Sequence, residues 1–184
     1  MKITRLKAQK TIVILLAILF ALNMVAFYLP LNPCNTQAIL NNGEGVQIPD
    51  IMVVYSPEQL YQFLSQIQAS GRSAFQGMHL SVDLSFPIIY SLLFFFVMEW
   101  QLFILGKQKS FLPLVSFLAG GFDLAENFTL FFITSQFPQF LPNLSMLAQG
   151  FTLLKFALII ACIILMLIFF LKYRINKRNQ NANH

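Results

Sequence analysis

Four long apolar runs divide the chain: Thr11–Leu29, Met78–Leu105, Phe111–Phe132 and Ala148–Leu171. A helix needs roughly 20 such residues to cross the hydrocarbon of a bilayer, so each run predicts a membrane-spanning helix. The second is long enough to tilt or to extend past the core. Gly106-Lys107-Gln108-Lys109-Ser110 separates it from the third, which predicts a tight antiparallel hairpin. The stretch 30–77 between the first two runs is too long for a plain connector. It begins polar and turn-rich, with Pro30, Pro33 and Asn41-Asn42-Gly43, and passes through a short apolar segment, Ile51–Tyr55. Ser56-Pro57-Glu58 then reads as a helix start: a side-chain cap, a proline in the first turn and an acid at the positive end of the dipole. In the helix predicted over Pro57–Gln68, Leu60, Phe63, Leu64 and Ile67 share one face. It is too short to span, and fits a helix lying on the membrane or over the mouth of the bundle. The expected fold is all-α, a polytopic membrane protein: one membrane domain over 1–184, with four transmembrane helices and a short amphipathic helix in the first outer loop.

Composition agrees with lipid as the solvent. The chain is 57% hydrophobic and only 10% charged, against about 25% charged in soluble domains. Its net charge of +5 points to nucleic acid only until the charges are located. Lys2, Arg5, Lys7 and Lys10 precede the first run, Lys107 and Lys109 lie in the second turn, and Lys172, Arg174, Lys177 and Arg178 follow the fourth run. In a four-span arrangement all ten fall on one side, and the loops opposite hold only Arg72. The positive-inside rule therefore predicts both termini in the cytoplasm, and charges confined to the membrane edges predict no nucleic-acid partner. Thr11–Leu29 is long for a signal peptide and ends in no small-x-small site, so it reads as a retained anchor. Cys34 and Cys162 fall in different settings and no disulfide is expected between them. Cys162 reads as a small apolar filler.

Asp83, Asp123, Glu126 and Lys155 interrupt this pattern. An ionisable group in a span costs several kcal/mol or so unless it is paired, hydrated or neutral. With a rise of about 1.5 Å per residue and a core of about 30 Å, Asp83 and Glu126 come roughly 8 Å below the outer edge. Asp123 comes roughly 12 Å and Lys155 about 10 Å below it. One level of the outer half-membrane is thus predicted to hold three carboxyls and an ammonium. Asp123, Glu126 and Asn127 share a helix face, His79 and Asp83 are four apart, and Gln149, Thr152 and Lys155 step by three. Phe86, Pro87 and Tyr90 continue the Asp83 side, and Gly120-Gly121 permit close helix approach. Glu99 beside Trp100 reads as an anchor at the inner interface.

The simplest use of these groups is a structural ion cluster. The chemical use is acid–base work or proton relay, since one carboxyl of such a crowd can hold a proton near neutral pH. Asp83, Asp123 and Glu126 are the candidate catalytic groups; His79, Tyr90, Asn127 and Lys155 are candidate ligand contacts. No metal or cofactor is expected: a lone histidine with no H-x-x-x-H spacing is a weak metal motif. No P-loop, nucleophile elbow or G-x-G-x-x-G is present. Asn127-Phe128-Thr129 matches a glycosylation sequon inside a span, where it cannot be used; Asn143-Leu144-Ser145 lies in a loop.

Asp83-Leu84-Ser85-Phe86-Pro87 together with Asp123-Leu124-Ala125-Glu126-Asn127 resembles small uncharacterised bacterial four-span membrane proteins, a likeness that implies the inner membrane of a bacterium and no known activity. Asp83-Leu84-Ser85-Phe86 is also similar to an acid-Leu-x-Phe stretch opening the second span of the emopamil-binding and sigma-2 receptor superfamily. That similarity implies four or five spans and a sterol-type pocket with intramembrane acids. The first run here carries no acid, and Asp123 and Glu126 have no counterpart there. The residues support three expectations: a pocket for a lipid or other hydrophobic small molecule, with acid–base chemistry possible in it; a proton-coupled transport component, for which four spans would form a homo-oligomer; or an assembly subunit whose polar cluster only specifies helix pairing.

Overall fold

The computed structural model describes residues 2–29, 32–40, 47–49, 52–107 and 110–182. The Asn41-Asn42-Gly43 turn, and Pro30, Ile51 and Lys109, lie outside them. The described residues are helical, with no strand. They form α1 (Lys2–Ala26), α2 (Thr36–Leu40), α3 (Pro57–Gln66), α4 (Gln68–Leu80), α5 (Val82–Ile104), α6 (Val115–Ser135) and α7 (Pro142–Ala182). Three helical stretches are long and apolar enough to cross a membrane: Leu6–Ala26, Gln68–Ile104 and Pro142–Arg178. Large apolar side chains are exposed along them, among them Leu15, Ile18 and Leu22 of α1 and Ile160, Ile164 and Leu167 of α7. A surface so apolar is suited to lipid. The 21-residue α6 is less apolar, because Asp123, Glu126 and Asn127 lie within it.

The helices depart from the apolar runs in instructive places. The run Met78–Leu105 is interrupted at Ser81 (φ −120°, ψ −98°), where α4 ends and α5 begins. Most of α4, together with α2, falls in the stretch that reads as a loop in sequence. Gln68, at φ 56°, turns the chain from α3 into α4 in a left-handed conformation rarely adopted by residues other than glycine. At the other end of α5, Gly106 (φ 72°) closes the helix: Gly106 N–H donates to Phe103 O and Lys107 N–H to Leu102 O. This is the Schellman arrangement, which satisfies the last carbonyls of a helix. The apolar run of α7 ends at Leu171, yet its helix continues through Lys172–Ala182, where no proline or glycine stops it.

Helices α2, α3 and α4 form a cap. Ser56 caps α3, accepting from Gln59 N–H at 3.2 Å while the Gln59 side chain accepts from Ser56 N–H at 2.7 Å. The Ser56 hydroxyl also donates to Glu58, holding that carboxyl below its ordinary pKa. Leu60, Phe63 and Leu64 of α3 and Phe75 and Met78 of α4 are buried with Leu130 and Ile133 of α6 and Ala148 of α7. Arg72 ties the cap down: its guanidinium donates to Leu64 O and lies 4.2 Å from the centre of the Phe137 ring.

Beneath the cap, α5, α6 and α7 pack on one another, while α1 packs on α5. Asn23 fastens α1 through its side-chain N–H groups to Ser85 and Val82 O, and Phe20 and Phe27 both pack on Phe86. At the far end of the bundle, Met98 and Leu102 of α5 pack with Cys162 and Phe169 of α7 in a second apolar cluster.

Only one glycine of the Gly120-Gly121 pair serves the close approach. A methyl group at Gly120 would collide with the Ser91 hydroxyl and sit 3.0 Å from Pro87 O, whereas at Gly121 it would meet nothing within 4 Å. Gly120→Ala is therefore expected to wedge α5 from α6 and cost about 1–3 kcal/mol. Gly121→Ala is expected to be neutral or slightly stabilising. Unfolding in mixed micelles distinguishes them; equal stabilities would contradict the packing described.

Candidate functional site

The two apolar clusters enclose a polar layer. It contains all seven candidate residues: His79 at the end of α4, Asp83 and Tyr90 on α5, Asp123, Glu126 and Asn127 on α6, and Lys155 on α7. Every one is buried.

Lys155 is the junction. Its ammonium lies 3.1 Å from Asp123 Oδ1 and 2.7 Å from Glu126 Oε2. The three-residue spacing of the two acids on α6 places both carboxyls toward α7, where one cation reaches both. The second oxygen of Glu126 accepts a 2.6 Å hydrogen bond from the Thr152 hydroxyl, one turn before Lys155. That hydroxyl is also 3.1 Å from Ala148 O. A hydroxyl has one proton and can give it to either acceptor. Thr152 can therefore donate to a charged Glu126, or donate to Ala148 O and accept from a protonated one. Glu126 keeps a hydrogen-bond partner in both states.

His79 and Asp83 face each other across the helix break, with Nδ1 to Oδ2 at 3.0 Å. The ring of His79 packs edge-on against Phe75, centroids 4.5 Å apart, which fixes its plane. The main chain at Asp83 adds a link that follows from sequence. Pro87 is four residues on and has no N–H, so the Asp83 carbonyl loses its helical donor. Asn127 Nδ2 supplies the bond from α6 at 2.9 Å. An Asp–x–x–x–Pro spacing with a polar residue on a neighbouring helix is the signal of this contact.

Two polar atoms of the layer have no hydrogen-bond partner among the described residues: Ser91 Oγ and Asn127 Oδ1. The Tyr90 hydroxyl faces the Asp123 carboxyl from α5, as a hydrogen-bond donor to it. Buried hydroxyls and amides normally have partners.

The layer opens into a cavity of about 250 Å³ between α1 and α7. Asp83, Asp123 and Lys155 form its polar wall; Phe27, Met78, Phe86, Phe156 and Ile159 contribute to its apolar walls. Met24 and Tyr28, also on its lining, are 39% and 69% exposed, so the mouth lies at the surface beside α1. Sequence reasoning reaches the acids, because charge in an apolar run is conspicuous. It misses Ser91, Met24, Phe27 and Phe156, whose residue types are ordinary for a span and which matter only through α1 and α7 standing apart. Gln149 is half-buried and takes no part in the contacts described.

Comparison with protein-family models, with curated proteins and with solved structures finds no match for this chain.

Removing one partner of a buried ion pair leaves an uncompensated charge. Lys155→Met, which strands two carboxylates, is expected to destabilise by about 3–5 kcal/mol. The neutral triple variant Asp123→Asn/Glu126→Gln/Lys155→Met is expected to recover most of the loss. Unfolding midpoints in mixed micelles test this, and a single variant as stable as the parent would refute it.

Proposed function

We propose that the chain is a four-span membrane protein that takes an amphipathic molecule from the bilayer into the cavity between α1 and α7. In this reading α6 is the remaining span: its polar residues turn inward to α5 and α7, and its exposed Phe117, Leu118, Phe128 and Phe132 meet lipid. Both termini and the α5–α6 turn lie in the cytoplasm, and the cap of α2–α4 lies outside.

The observation that carries the reading is the cavity itself, apolar along its walls, with buried ionisable groups on one side. Such a combination is the usual form of a small-molecule site. The chemistry of that side narrows the head group. Lys155 is shared by two carboxylates, while Asp83 and Asp123 offer acceptors on the cavity wall. The head that fits is one that donates hydrogen bonds, a hydroxyl or an ammonium. A head seated there lies beside carboxyls and a His–Asp pair that can accept or return a proton, which is the basis for acid–base chemistry at the site.

Two other readings fit the contacts less well. A proton-coupled transport component needs a polar path past the layer toward Glu99, where Met98, Leu102, Cys162 and Phe169 instead pack together. A purely structural cluster needs neither the cavity nor the unpartnered Ser91 hydroxyl.

Binding is tested with the full chain in lipid nanodiscs and a fluorescent long-chain alcohol or amine. Asp83→Asn keeps an acceptor for His79 but removes the charge, and is expected to weaken binding at least tenfold with little change in thermal midpoint. Met24→Trp, which fills the mouth, is expected to abolish binding. Binding unchanged in both variants would refute the pocket.

Topology is tested by thiol labelling in a Cys34→Ala background. Gln139→Cys is expected to react with an impermeant reagent from outside; Ser110→Cys and Asn176→Cys are expected to react only from inside. Labelling of positions 110 and 139 from the same side would show that α6 does not cross.

A further inference from the structure

The mouth of the cavity is at the surface, yet the polar wall behind it is nearly closed. Asp83, Asp123 and Lys155 are only 8%, 3% and 7% exposed, so a head group reaches them only if something moves aside. Helices α5, α6 and α7 carry that wall and are joined through the polar layer. Much of the remaining lining comes from the outer end of α1, through Met24, Phe27 and Tyr28, and from the strap 34–40, through Thr36 of α2.

These two pieces form one unit. Thr36 N–H donates to Phe27 O at 3.2 Å. The side chains of Asn32 and Asn35 donate to Ala26 O and Leu29 O, each at 3.1 Å. These bonds supply donors to carbonyls left over at the end of α1. Whatever displaces the strap therefore carries the end of α1 with it.

The seat of the strap on α4 is of another kind. No hydrogen bond among the described residues joins the two. The strap instead lies where α4 has glycine: a methyl group at Gly71 would collide with Ile39 O, and one at Gly77 with the Cys34 sulfur. The two notches differ in their surroundings. Ile39 is wholly buried in the apolar cluster of the cap, which pins that end of the strap. Cys34 is only partly buried, and lies beside the joint with α1. One end is held by burial and the other mainly by fit, which is the arrangement of a pivot and a free edge.

We propose that the strap 34–40 is a gate over the cavity: it pivots at Ile39 in the Gly71 notch, lifts at Cys34 from the Gly77 notch, and carries the end of α1 with it. The inference rests on the cavity being a site for an amphipathic molecule, and adds how that site opens. Lifting the free edge breaks contacts but no hydrogen bond to α4, and leaves every ion pair of the layer in place.

The gate can be locked with a cysteine the chain already has. A Cβ at position 77 lies 3.7 Å from Cys34 Cβ, within the roughly 3.5–4.5 Å spanned by a disulfide. Gly77→Cys is therefore expected to bond to Cys34 on oxidation and hold the strap down. Gly77→Leu fills the notch and is expected to hold it up. The full chain in phosphatidylcholine nanodiscs is loaded with fluorescent dodecanol, and release into empty nanodiscs is followed. Oxidised Gly77→Cys is expected to release the alcohol about tenfold more slowly than the same protein after reduction, as for a closed lid. The parent chain is expected to be indifferent to oxidation, and Gly77→Leu to release faster than the parent. Release unchanged by oxidation of Gly77→Cys, or unchanged in Gly77→Leu, would make the strap a fixed roof and overturn the gate while leaving the pocket intact. A parent chain that binds no dodecanol would overturn both.

Discussion

The contact of Lys155 with Asp123 and Glu126 is the constraint on which the rest of the molecule depends. Two carboxylates and one ammonium out of water are tolerable only if their geometry is held. That requirement fixes the face α6 turns to α7, the turn of α7 that lies opposite, and the placing of Thr152 to satisfy the remaining oxygen of Glu126. Apolar packing alone would leave this register loosely specified, because lipid solvates an apolar helix face about as well as another helix does.

Helix α5 is positioned by a different kind of bond. Pro87 withholds a donor from the Asp83 carbonyl, and Asn127 provides one from α6. Close contact at Gly120 brings the two backbones together lower down. The polar layer is thus closed on three helices by an ion pair, a borrowed hydrogen bond and a missing side chain. Apolar clusters on both sides separate it from the ends of the bundle.

Much of this was legible in the chain itself. Apolar runs mark where long helices form, and charges within such runs are rare enough for Asp83, Asp123, Glu126 and Lys155 to stand out. The i, i+3, i+4 rule correctly groups Asp123 with Glu126 and Asn127, and His79 with Asp83. The break at Ser81 was not legible, because nothing in Leu80-Ser81-Val82 forbids a continuous helix; the torsions are set by how the cap seats on α6. Helix α4 was hidden by its polar composition, and left-handed Gln68 by its residue type. Gly120 and Gly121 look alike in sequence, and only the neighbouring helix tells them apart. The cavity was least legible of all, since a gap between α1 and α7 is a property of neither.

The lopsided attachment of α1 bears on selectivity. One wall of the cavity belongs to α5, α6 and α7, joined by the Lys155 ion pairs, the Asn127 hydrogen bond and the close contact at Gly120. The other belongs to a helix fastened to α5 by Asn23, by Phe20 stacked on Phe86 and by Phe27 edge-on to the same ring. Displacing α1 disturbs aromatic contacts but none of the ionic ones. The two halves of a guest would therefore be judged by different standards. Its head would meet fixed acceptors that reward one arrangement of donors, whereas its tail would meet a wall that no buried charge holds in place. A pocket of the proposed kind would be strict about functional groups and lenient about chain length and branching.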